Sequence, residues 1–183
     1  MKYSILIFFI AFQNVVISQE ESTISWKPTL KLSWLDFQGE VSPDVYGKAN
    51  TSYKIEIVPA DVLVDEQDNI QDYEKLTVDA RFYKKQSWTT VLVSDTIVLN
   101  HEQLHFDIAE LFARKVRKRF RELQKEKEAR FSVYSKEYGV LWRACRKYQK
   151  QFDFETDHGR ALDLNKTWSN KIKEALIVLE AYK

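Results

Sequence analysis

The feature that most limits what this chain can build is a change of hydrophobic period at Ser94. Before it, apolar residues alternate. Tyr53, Ile55 and Ile57 oppose Lys54 and Glu56, and in Leu76 to Tyr83 the face of Val78, Ala80 and Phe82 opposes Thr77, Asp79 and Arg81. Alternation with a period of two predicts half-buried strands. "SWTTVLV", Ser87 to Val93, is a third β-rich run, and the short polar link Lys84-Lys85-Gln86 predicts an antiparallel hairpin with the second. After Ser94 the apolar spacing becomes three and four. Ser94 or Asp95 can cap a helix that runs through "HEQLHFDIAELFARKVRKRFRELQKEKEAR". A second helix carries Tyr134, Tyr138, Leu141, Trp142, Cys145, Tyr148 and Phe152 on one stripe, and a third carries Trp168, Ile172, Ala175 and Leu179. Strands followed by helices predict an α+β domain, a small antiparallel-rich sheet packed on a helical part.

The first residues read as an address rather than as fold. "MKYSILIFFIAFQNVVIS" has one basic residue, Lys2, then an apolar run from Ile5 to Phe12, and it ends in a small residue suited to cleavage after Ser18. The run is too short to span a membrane well. The expectation is a signal peptide over residues 1–18, a single domain over 19–183, and a periplasmic or extracellular location without a transmembrane segment in the mature chain. Removing Lys2 takes the net charge from +1 to 0, which gives no argument for nucleic acid or a membrane surface as partner, and no nucleic acid is expected. Cys145 is the only cysteine, so the chain has neither an intrachain disulfide nor a cysteine-based zinc site. Its place on the second helix's stripe makes it a core residue rather than a reactive thiol.

The chemistry concentrates in "HEQLH", His101 to His105. Helix positions four apart differ by about 40° in direction, so His101 and His105 can reach one ion. Glu102 lies about 100° from His101, where it can take a proton from water at the metal without ligating it. This is the mechanical content of H-E-x-x-H. Ile108, Phe112 and Val116 share the histidines' side of the helix, which turns that face toward the packed interior. A catalytic zinc takes three protein ligands. Glu110 faces the opposite way and Asp107 is off the face. The remaining histidine, His158, stands in "FDFETDHG", where Gly159 permits a tight turn that can aim the imidazole back at the first helix. Asp153, Glu155 and Asp157 compete with it, as oxygen ligands or as partners for an imidazole N–H.

"LSWLDFQG" (Leu32 to Gly39), "TSY" (Thr51 to Tyr53), "SWT" (Ser87 to Thr89), "HEQLHFDIAELFARKVR" and "ETDHG" occur in this order. Together they resemble a bacterial domain-of-unknown-function family, family 922, of secreted proteins described as predicted zinc-dependent proteases. The resemblance spans nearly the whole mature chain. It implies a zincin-like fold with the HExxH helix at the cleft, Zn2+ held by His101, His105 and His158, and Glu102 as catalytic base. Phe152 stands where a tyrosine is expected, which removes a hydroxyl from that place. The resemblance also implies an extended peptide along an edge strand, with "SWTTVLV" or "LTVDARF" as the candidates. Tyr138 and Tyr148 are the candidates for stabilising an oxyanion.

The function expected is therefore that of a secreted zinc metallopeptidase acting on a peptide or protein substrate. Two alternatives stay open: a cell-wall peptide amidase or endopeptidase with the same zinc chemistry, and a non-catalytic exported zinc-binding module. The basic run "ARKVRKRFRELQKEKEAR" reads as a solvated helix face, since Glu122, Glu126 and Glu128 interleave with its cations. Nothing in the residues sets the oligomeric state.

Overall fold

In the computed structural model, which describes residues 22–42, 44, 47–90 and 95–183, the chain is organised around one long helix. This helix, α1, runs over Thr96–Lys125, and the Asp95 side chain caps it by accepting from the Val98 N–H at 3.0 Å. Ser94, the other cap candidate, lies outside the described residues, as does the expected signal peptide. Unlike a surface helix with one apolar stripe, α1 is buried on several sides: Phe106, Ile108, Ala109, Ala113 and Val116 have no exposed surface. A sheet covers one flank and two helices cover the other.

The sheet has the order β1-β4-β3, with β1 at Thr23–Ser25, β3 at Tyr53–Val58 and β4 at Thr77–Tyr83. Both pairings are antiparallel; Ile55 faces Ala80 and Ile57 faces Val78, while Ile24 and Tyr53 flank Phe82 from the two sides. Val78, Ala80 and Phe82 are buried, as the alternation requires. Phe82 packs edge-on against Phe37 and tilted against Phe106, at centroid distances of 5.2 and 5.8 Å. The segment "LSWLDFQG" thereby finds its role in the core. Leu32, Trp34 and Phe37 are buried, and Gly39 passes so close to Ser87 that a Cβ would lie 2.8 Å from the Ser87 carbonyl oxygen.

The expected hairpin between the second and third runs does not form. Lys84–Gln86 makes a single 3-10 turn, and β5, Trp88–Thr89, leaves to pair with β2, Ala49–Asn50, as a separate two-stranded ribbon. The link contains no Gly or Asn to adopt the positive φ of a tight hairpin turn. Instead the buried Ser87 fixes the exit: its hydroxyl donates to the Tyr83 carbonyl and accepts from the Ser52 N–H. Residues 91–93 of the third run lie outside the described residues. β4 is paired with β3 along its length on one side and with β1 at Arg81–Tyr83 on the other, so the second half of "LTVDARF" has no free edge for an extended peptide.

Two helices close the other flank, α2 at Phe131–Glu155 and α3 at Leu162–Val178. The Tyr138 hydroxyl donates to the Ile55 carbonyl at 2.7 Å and ties α2 to β3, so this tyrosine is a brace. Tyr148 packs edge-on between Phe112 and Trp168. Cys145 has no exposed surface, and burial pushes its thiol up to about 12.

The basic run does not form a wholly solvated face. Arg114 is 1% exposed and Arg117 is 9% exposed. Both guanidiniums donate to Glu110 Oε1, at 2.9 and 2.5 Å, and reach on to the carbonyls of Leu176 and Tyr182. Arg121 donates to the Ala181 carbonyl. Glu110 does point away from the histidines, but into a buried ion cluster that holds the end of the chain against α1. No described helix is long and apolar enough to cross a membrane.

Candidate metal centre

α1 presents His101 and His105 one turn apart, toward the last turns of α2. Their rings meet edge to face with centroids 4.8 Å apart, and Phe152 packs against both. It lies nearly parallel to His101 at 4.5 Å and edge-on to His105 at 4.9 Å. A phenyl ring here, fully buried and backed by Trp168 at 5.3 Å, makes an apolar wall that limits how the imidazoles can turn. The position where a tyrosine was expected serves packing alone.

Each imidazole is held at its Nδ1 by an amide. His105 Nδ1 is 2.5 Å from Gln149 Oε1, and His101 Nδ1 is 3.0 Å from Asn165 Oδ1. The amide orientations follow from the other end of each group. Gln149 Nε2 donates to the His105 carbonyl at 2.8 Å, and Asn165 Nδ2 donates to the Ala161 carbonyl at 3.1 Å. An amide oxygen only accepts, so the proton of each neutral ring sits on Nδ1 and each Nε2 presents a lone pair. These lone pairs point to one place: the two Nε2 atoms are 3.2 Å apart. Asp153 Oδ1 completes the group at 3.3 Å from His101 Nε2 and 3.0 Å from His105 Nε2.

Asp153, rather than His158, is the third side chain that lies directly against the two histidines. The reason is where α2 ends. The helix carries Asp153 inward beside Phe152, one residue along; after Glu155 the chain makes a left-handed turn in which Asp157, His158 and Gly159 have φ of 50°, 52° and 88°. His158 emerges with its side chain 73% exposed and its Nδ1 4.0 Å from Asp153 Oδ1, on the outer side of the group. Gly159, expected to aim His158, instead lies against His101; a Cβ there would be 3.0 Å from His101 Cγ. Glu155 turns away to accept from Trp168 Nε1 at 2.9 Å, and Asp157 pairs with Arg160. Asp107 accepts from Trp26 Nε1 and Gln103 Nε2. Glu155, Asp157 and Asp107 are thus engaged elsewhere.

Glu102 is 4% exposed, and its Oε2 is buried without a hydrogen-bond partner among the described residues. Its backbone carbonyl accepts from Thr51 Oγ1 at 3.2 Å, which gives part of "TSY" a role beneath the motif. Burial opposes a proton on His105, but the Asp153 hydrogen bond and the charges of Glu102 and Asp153 outweigh it and raise the ring's pKa. Asp153 moves the other way. Burial works against its charge, but the two imidazoles, which donate to it through Nε2 once they are protonated, hold its carboxyl well below the usual carboxylate range. Beside His101, on the Asn165 side, a groove of about 370 Å³ opens along α1 and α3, lined among others by Lys31, Asn100, Gln103, Asp107 and Lys166.

His101, His105 and Asp153 are the one set of three metal-capable side chains, among the described residues, whose donor atoms come together this closely. No curated protein and no solved structure matches the chain. Residues 73–159, which hold β4, α1, α2 and all three donors, are similar to the family described as "Bacterial protein of unknown function (DUF922)".

Proposed function

We propose that this protein is an exported, zinc-dependent hydrolase of peptide bonds, with a zincin-like division of labour at the HExxH helix. The observation that carries the reading is the convergence of two imidazole lone pairs and one carboxylate oxygen, all 3.0–3.3 Å apart. With both Nδ1 protons committed to amides, three acceptors face one another, and only a shared proton or a cation reconciles them. The spacing suits zinc. A tetrahedral ion with bonds of about 2.0–2.1 Å separates its ligand atoms by about 3.3 Å. Two nitrogens and one oxygen are ordinary zinc donors, and three protein ligands leave a fourth position for water or substrate.

Zinc in that position supplies Lewis acidity, which makes water acidic near neutral pH and polarises a carbonyl. The rest falls to the chain's own groups. Glu102 Oε2 is the proton carrier: buried and unpartnered, it is free to take a proton from the attacking water and return it to the leaving nitrogen. The Phe152 and Trp168 wall excludes water from one side of the imidazoles. The groove beside His101 offers amide, carboxylate and ammonium groups to a polypeptide substrate. His158 stands at the rim, where an imidazole can meet a substrate or a substrate-held water.

A non-catalytic zinc module needs a fourth protein ligand, and His158, with its Nδ1 4.0 Å from Asp153 Oδ1, is a candidate for it. The test is cleavage of a peptide library by zinc-loaded protein and by its Glu102→Gln variant. The variant is expected to keep one zinc per chain and to lose turnover by at least about 100-fold. Equal turnover in both removes Glu102 from the chemistry, and cleavage by neither favours the module.

A further inference from the structure

Gln149 and Asn165 belong to neither the H-E-x-x-H motif nor the donor group, yet among the described residues each is the hydrogen-bond partner of one imidazole Nδ1. Gln149 is buried on the apolar stripe of α2, and Asn165 is half-buried on the side of α3 that carries Trp168 and Ile172. Gln149 lies between Cys145 and Phe152, and Asn165 precedes Trp168 and Ile172 at spacings of three and seven. A polar residue in such a position needs a partner, and each finds one at both ends of its amide. The Gln149 clamp closes on a single residue, since its oxygen meets the His105 ring while its NH2 meets the His105 carbonyl. That fixes the ring relative to its own backbone. Asn165 is anchored within α3 by the Ala161 carbonyl and so registers α3 against α1 through the His101 ring.

We infer that Gln149 and Asn165 are positioning residues of the metal centre, which lock His105 and His101 in the Nδ1–H tautomer and so hold both Nε2 lone pairs on the ion. The inference rests on the metal-site reading above. Without the amide oxygens, a ring is free to carry its proton on Nε2, and the other ring's lone pair and Asp153 Oδ1 would both accept it. That state closes the site with a proton and competes with metal. The third helix, which supplies no donor, thereby becomes part of the centre. The neutral character of both amides also matters. A carboxylate at the same place would lend charge to the ring, whereas an amide holds the tautomer and leaves the positive charge of the ion less compensated.

The experiment uses the full mature chain, labelled with 15N at histidine, and has two independent readouts. Long-range 1H–15N spectra of metal-free protein report the tautomer of each ring; zinc affinity follows from competition with a chromophoric chelator. In wild type, His101 and His105 are expected to show protonated Nδ1. Asn165→Leu is expected to release His101 into a tautomer mixture and to weaken zinc by about 10- to 100-fold. Gln149→Met is expected to do the same at His105. Asn165→Asp, which keeps the acceptor oxygen, is expected to restore the Nδ1–H tautomer and most of the affinity; a role in packing alone would not discriminate between Leu and Asp. If Gln149→Met fails to fold, the Asn165 pair decides. Protonated Nε2 on both rings of the wild type, or an Asn165→Leu variant with unchanged tautomer and affinity, overturns the inference. Correct tautomers in a wild type that takes up no zinc would uphold the lock and overturn the metal reading instead.

Discussion

His101 and His105 face each other through their Nε2 atoms across 3.2 Å, with Asp153 Oδ1 within 3.3 Å of both. Neighbouring lone pairs at this range repel unless something positive lies between them. The fold enforces the contact from three directions: the helical register of α1, the phenyl wall of Phe152, and the amides of Gln149 and Asn165. Its consequences can be measured with and without metal.

The metal-free protein should have an inverted pH profile relative to the zinc form. His105 has a raised folded-state pKa, so the stability it contributes is present below the ordinary histidine value of about 6.5 and is lost as pH rises through the raised value. Asp153 has a lowered pKa, so its contribution is present above the ordinary value of about 3.9 and is lost as pH falls below it. Metal-free Tm should therefore peak between about pH 4 and 6.5 and decline above. Zinc competes with the same protons, so the zinc-bound Tm should climb through the range where the metal-free one declines. Parallel profiles with and without zinc would show that the ion does not use these groups.

Gly159→Ala should damage the centre more than the fold. At φ 88° any side chain carries strain, of the order of 1–2 kcal/mol for a residue in left-handed backbone. The added methyl would also stand 3.0 Å from His101 Cγ and push the ring off Asn165. A modest loss of Tm with a larger loss of zinc affinity is expected. Unchanged zinc binding would mean that the ring is not held where the structure puts it.

Glu110 gives the opposite dissociation. It is 3% exposed and is the shared acceptor for Arg114 and Arg117. Glu110→Ala removes the carboxylate shared by two buried guanidiniums; Arg114 keeps Glu180 and the Leu176 carbonyl, and Arg117 keeps the Val78 and Tyr182 carbonyls, so the loss in chemical denaturation is expected below the about 3–5 kcal/mol of a fully unpaired buried charge. The residual folded protein should bind zinc as wild type does, because the ion cluster lies across α1 from the histidines. A zinc defect without a stability defect would contradict this assignment.

Much of this arrangement was legible in the residues. The three helices followed from spacing, the inward face of β4 from alternation, a cap at Ser94 or Asp95 from their chemistry, and the His101–His105 pairing from one helical turn. What could not be read was which side chain of "FDFETDHG" faces the pair. That choice depends on where α2 stops. One more turn of helix would have carried His158 elsewhere, and the left-handed turn after Glu155 brings Gly159 against His101, a contact between distant segments. The two amides did leave a signal, as polar residues on otherwise apolar stripes, with Gln149 one turn before Asp153. The buried arginines left none, because a helix covered by partners on several sides hides which of its charges lie inside. The absent hairpin had a local sign, a three-residue link without a residue suited to positive φ.

The most direct test of the metal centre is an anomalous-difference map from zinc-soaked crystals, collected at the zinc edge. One peak is predicted, about 2.0–2.2 Å from His101 Nε2, His105 Nε2 and Asp153 Oδ1 together, with His158 unbonded to it. A peak held by His158 in place of Asp153, or no peak between the two histidines at full zinc occupancy in solution, would contradict the account.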